Sequence, residues 1–72
     1  MVLPAELQKL IVGPDQTIRD AMRVITDNWR EIALVADAQG RVAGVVTDGD
    51  IRRGLLSGLT LDSPVHRVMT AD

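Results

Sequence analysis

Between Val42 and Leu56 the spacing of apolar residues changes from that of a strand to that of a helix, and the change falls within Thr47-Asp48-Gly49-Asp50. Val42, Val45 and Val46 are β-branched and suit a pleated, buried strand, whereas Ile51, Leu55 and Leu56 recur at helical spacing. A chain that passes from strand to helix so abruptly has to turn sharply there, and its other elements must be arranged around that junction. The first N–H groups of a helix lack intrahelical acceptors and carry the positive end of its dipole, so they can receive an anion. Thr47 adds a hydroxyl, Asp50 adds a carboxylate suited to vicinal hydroxyls, and Gly49 permits a close approach that a Cβ would obstruct. Asp48, Arg52 and Arg53 complete the charged surroundings, the arginines being placed to offset phosphate. The stretch is a candidate ribose-phosphate site. The same residues also describe a capped helix start, with an aspartate as the cap and both arginines solvated or paired. Such a cap contributes about 1 kcal/mol and needs no ligand. Spacing alone leaves both assignments open.

Other chemistries fail on spacing. A calcium loop needs further oxygen ligands at alternate positions and a late glutamate, but Arg52 follows Asp48 and Asp50. No Ser/His/Asp set, phosphate-cradling glycine loop or metal-ligand cluster is present, so neither catalytic nor metal residues are assigned. His66 has no acid or nucleophile beside it in sequence and is read as a surface or packing residue.

Seventy-two residues make one small domain whose core is marginal by itself. With no cysteine to staple it, association with a second copy or a neighbouring domain is expected. The net charge of −2 argues against nonspecific nucleic-acid binding, and Trp29 as the only aromatic provides no stacking platform. No long apolar run or basic-then-apolar leader is visible, which points to a cytoplasmic protein without a membrane span.

In chain order, Met1 to Leu10 reads as a short helix or ordered arm, and Ile11-Val12 as a brief strand ended by Gly13-Pro14-Asp15. Thr17-Ile18-Arg19-Asp20 has the form of a helix start, and the helix should reach about Asn28. Ile18, Ala21, Met22 and Ile25 form its buried stripe. Ile32 to Ala36 is a continuous apolar run of strand length that suggests burial on both faces. Asp37-Ala38-Gln39-Gly40 then turns the chain back into 41–46 as an antiparallel hairpin. Gly44 inside that strand suggests a bulge or a close approach to its backbone. A second helix should run from about Gly49 to Ser57 and stop at Gly58, leaving Val65 to Met69 as a second short arm.

This order, and above all 34–51 with its apolar strand, Asp-containing turn and closing Thr-x-x-Asp, resembles one repeat of the cystathionine-β-synthase (CBS) type. The resemblance implies an α+β fold of order β-α-β-β-α, a small three-stranded sheet packed against two helices, with short arms at both ends. It covers residues 1–72 as a single repeat, with 62–72 read as a linker toward a further repeat, because Met69-Thr70 is similar to the opening of one. Thr47-Asp48-Gly49-Asp50-Ile51-Arg52-Arg53 with Gly58-Leu59 and Val68-Met69-Thr70 looks most like CBS segments attached to sugar-nucleotide nucleotidyltransferases, and a similar sequence accompanies sugar-phosphate isomerases.

The resemblance implies a regulatory module that binds an adenosine-containing nucleotide between paired repeats, with AMP, ADP, ATP or S-adenosylmethionine as ligand and no required cofactor. Thr47 would meet phosphate or ribose and Asp50 the ribose hydroxyls. Backbone near the first strand and the start of the second would face the base, which adds Val12, Ile32 and Ala33. Leu34 stands where many relatives have proline, and nothing acidic follows Asp37. A homodimer through Ile18, Met22, Ile51, Leu55 and Leu56 would mimic the usual pair, with catalysis left to a linked domain. The competing expectation is a ligand-free dimerisation module.

Overall fold

The computed structural model describes residues 5–28 and 31–71. A short helix α1 (Ala5–Gln8) leads into strand β1 (Ile11–Val12), helix α2 (Ile18–Asp27), strands β2 (Ile32–Ala36) and β3 (Val42–Thr47), helix α3 (Asp48–Leu56) and a single 3₁₀ turn (Val65–Arg67). The sheet order is β1-β2-β3, with β1 parallel and β3 antiparallel to β2. This is the α+β arrangement expected, including the hairpin between β2 and β3. Trp29, and the first residues of the expected N-terminal arm, lie outside the described residues.

Side-chain alternation sorts the sheet into two faces. Val12 stands beside Val35, and Ala33 opposite Val46, so these four point to one face and are all buried. Ile18 and Ala21 from α2 and Ile51 from α3 close over them to form the core. Each fully buried Val or Ile there contributes roughly 1.5–3 kcal/mol relative to exposure. The other face of β2, at Ile32 and Leu34, is only half-buried, so the apolar run is not covered equally on both sides as its composition suggests. A register shift falls between Val35 and Ala36, opposite the approach to Gly44.

One further expectation changes. Met22 was expected in the buried stripe of α2 but is exposed, because α2 turns Ile18 and Ala21 squarely onto the sheet and Met22 lies to one side. The short arm expected at Val65 to Met69 is docked on the domain. Val65 is fully buried in the core, its N–H donates to the Gln16 carbonyl at 2.7 Å, and Thr70 forms a bridge with Val45 on the outer edge of β3. Gly44 explains how that edge admits it, since a Cβ there would stand 2.7 Å from the Thr70 carbonyl oxygen.

Candidate functional site

β3 ends at Thr47 opposite Ile32, and α3 begins at the next residue. Thr47 is in extended conformation and caps the helix reciprocally with Asp50. The Asp50 N–H donates to Thr47 Oγ1 at 3.1 Å, and the Thr47 N–H donates to Asp50 Oδ2 at 2.9 Å. The helix start is therefore capped as expected, but the cap is Thr47 rather than an aspartate, and Asp50 is its partner three residues on. Arg53 Nη2 donates to the other carboxylate oxygen, Oδ1, at 2.6 Å. Burial raises the Asp50 carboxyl pKa, but the Thr47 amide, the Thr47 hydroxyl and Arg53 together outweigh it, and the net displacement is downward. Asp50 is thus held ionised.

A cleft of about 440 Å³ opens at this junction, lined by Ile25, Glu31, Ile32, Thr47, Asp48 and Gly49. Ile25 and Ile32 supply an apolar wall, and the first turn of α3 supplies a polar floor. Among the described residues, no acceptor meets the N–H groups of Asp48 and Gly49. Donors, dipole and apolar wall converge, which suits a ligand carrying both an anionic and a flat apolar part.

Of the residues expected here, the structure brings Ile32, Thr47, Asp48 and Gly49 to the cleft wall. Asp50 sits behind them, buried, under the Arg53 guanidinium. Arg52 turns to Asp48 instead, at 3.0 Å in a pair exposed on both sides. The side chains of Val12 and Ala33 are buried in the core, at 1% and 0% exposure, so those residues can reach a ligand only through their backbone. Ile25 and Glu31 were not foreseen. Ile25 reads in sequence as one more position of a core stripe, and Glu31 is a single acid beside a strand, so neither carries a signal of its own.

The expected dimer face is also corrected. Ile18 and Ile51 are 0% and 2% exposed because they fill the space between helices and sheet, whereas Met22, Leu55 and Leu56 remain exposed. A second depression, of about 590 Å³, lies against Ile11, Gly13, Pro14, Asp15, Gln16, Ala36, Asp37 and Ala38 at the opposite end of the sheet. The Asp37 carboxylate there is already committed to its own turn, accepting from the Gln39 and Arg41 amides at 2.9 Å each. Among the described residues, no group of His, Cys, Asp and Glu could hold a metal ion, and no helix is long and apolar enough to cross a membrane.

Comparison with known proteins adds what geometry cannot. Residues 7–57 match the family described as CBS domain. The arabinose 5-phosphate isomerase GutQ of Escherichia coli strain K12 is 43% identical over 54 residues, which cover 75% of this chain and 17% of the isomerase. The crystal structure of the CBS-domain containing protein ATU1752 from Agrobacterium tumefaciens matches with a TM-score of 0.81 at 28% identity, over 88% of this chain and 48% of that one. The CBS domain protein PAE2072 from Pyrobaculum aerophilum, solved in complex with AMP, shares the fold with a TM-score of 0.78 at 23% identity, over 86% of this chain and 49% of that one. The chain therefore spans about a sixth of the isomerase and about half of these solved chains. Isomerases among its relatives favour the sugar-phosphate isomerase alternative over the nucleotidyltransferase that the motif suggested.

Proposed function

The chain belongs to the CBS domain family, and from that premise we propose that it is a regulatory module that binds an adenine nucleotide at the start of α3 and reports it to a linked sugar-phosphate isomerase. The observation that carries the reading is the pair of uncommitted amides at Asp48 and Gly49, facing a cleft with an apolar wall. Phosphate is received at those amides and the Thr47 hydroxyl, the base lies against Ile25 and Ile32, and Asp50 takes the ribose hydroxyls. AMP in a structure of the same fold makes adenine nucleotides the ligand class to test first. Isomerase relatives support the kind of enzyme controlled.

The cleft is open, so a second repeat or a second copy has to close it. Exposed Met22, Leu55 and Leu56 are the apolar surface available for that pairing. Control follows if nucleotide favours one packing of the pair over another, since a ligand with equal affinity for both shifts nothing. Calorimetric titration with AMP, ADP, ATP and S-adenosylmethionine tests the reading. Saturable binding of one of them, lost in a folded Thr47→Ala/Asp50→Ala protein, is the expected result. Silence with all four, in a chain shown to be folded and dimeric, favours a ligand-free dimerisation module instead.

A further inference from the structure

We propose that Arg53 is the residue by which this site discriminates a phosphorylated adenosine from an unphosphorylated one, because it occupies Asp50 until a ligand displaces it. The inference rests on the nucleotide reading above. Asp50 Oδ2 is tied to the Thr47 N–H and cannot be released without undoing the helix cap. What remains for ribose hydroxyls is Oδ1, and Arg53 Nη2 already holds it at 2.6 Å. Asp50 is 9% exposed and Arg53 is 74% exposed, so the carboxylate is nearly covered while the guanidinium that holds its Oδ1 reaches solvent. Its Nη1 lies 3.5 Å from where a Cβ on Gly49 would stand, so the cation is next to Gly49, one residue of the cleft wall, without lining the cleft itself.

A ribose arriving at Oδ1 therefore has to break the Arg53 pair. An unphosphorylated nucleoside gives the guanidinium nothing in exchange. A nucleotide returns a phosphate at the neighbouring Asp48 and Gly49 amides, within the sweep of a long side chain anchored one turn away, and charge-assisted contact with phosphate replaces the one lost. The other charges nearby make that exchange necessary rather than redundant. Glu31 lines the cleft and repels phosphate, while Arg52 is already held by Asp48. Arg53 thus opposes adenosine and favours AMP.

The test is calorimetric titration of the full chain with adenosine and with AMP, for the wild type, Arg53→Gln, Arg53→Lys and Arg19→Gln. Arg19 pairs with Asp62 at the other end of α2 and serves as the charge-matched comparison. In Arg53→Gln the two affinities move in opposite directions, adenosine tighter and AMP weaker by about threefold each, as expected when an exposed guanidinium exchanges one charge-assisted contact for another. The AMP-to-adenosine preference then falls by about tenfold, while Arg19→Gln leaves it unaltered and Arg53→Lys, which keeps the charge, retains most of it. If AMP binds but Arg53→Gln moves both ligands the same way, or moves neither, the discriminating role is overturned and the nucleotide site stands. If the folded wild type binds neither ligand, the discriminating role falls, and the nucleotide reading falls with it only when ADP, ATP and S-adenosylmethionine are silent as well.

Discussion

The protein contains the same capping box twice, and the two copies come to different ends. Thr17 and Asp20 cap α2 as Thr47 and Asp50 cap α3, with the aspartate N–H donating to the threonine hydroxyl at 3.1 Å in both. The return bond from the threonine N–H to the carboxylate is 3.2 Å in the first and 2.9 Å in the second. At the first box, however, the chain's own C-terminal segment fills the place of a ligand. The N–H groups of Ile18 and Arg19 donate to the carbonyls of Ser63 and Leu61 at 3.0 Å each, and Pro64 bridges to Thr17. At the second box the corresponding amides, Asp48 and Gly49, face a cleft. A Thr-x-x-Asp sequence therefore specifies a helix start. Whether that start is also a site depends on what the rest of the chain lays across it.

The largest test of this contrast removes the clasp on the first box. Val65→Ala empties a fully buried position and should cost about 2–3 kcal/mol, by the usual penalty for deleting buried methyl groups. Urea unfolding followed by far-UV circular dichroism measures it, and amide exchange at Ile18 and Arg19 should accelerate while exchange at Asp50 changes less.

Next in size is the difference between the two aspartates. Asp50→Ala removes a buried carboxylate with a backbone and an arginine partner and should destabilise by about 2 kcal/mol. Asp20→Ala, at a more exposed box without an arginine contact of that kind, should cost less, and AMP binding should be lost only in Asp50→Ala. Thr17→Ala and Thr47→Ala should resemble each other in stability, at about 1 kcal/mol for each lost cap. They should differ only in nucleotide affinity. An equal loss of affinity in both would break the comparison.

Acid produces the smallest effect near neutrality and a common one below it. The Thr17 amide holds the Asp20 carboxyl below its usual range although partial burial pushes it up, and the Arg41 amide does the same at Asp37. Asp50 is lowered as well. A carboxyl whose folded pKa is depressed contributes stability above its unfolded value, near 4, and that contribution is lost as pH falls through the lower folded value. The urea midpoint should thus hold steady from pH 7 to about 5 and decline below about 4. Asp50→Asn should flatten part of that decline.

Much of this organisation was legible in the chain. Local chemistry set the order of elements: Thr17 and the switch of apolar spacing after Val46 announced the helices, Asp37 to Gly40 the hairpin, and Gly44 a bulge or the close approach of another segment. What escaped were properties set by contacts distant in sequence. Val65 lies beyond Gly58 and Pro64 in a stretch too short to show a period, so nothing local marked it as core. Ile18 and Ile51 share helical spacing with Met22 and Leu55, and only the tilt of each helix on the sheet decides which side chain is buried. For the site, the sequence marked its polar floor at Thr47 to Asp50, but the apolar wall at Ile25 comes from a different helix and looked like ordinary core.

The most direct test of the central claim is amide chemical-shift mapping of the ¹⁵N-labelled chain titrated with AMP. Saturable shifts concentrated at Asp48, Gly49 and Ile32, with Ile18 and Arg19 unmoved, are the predicted result. Shifts of equal size at both helix starts, or none at either in a folded chain, would contradict it.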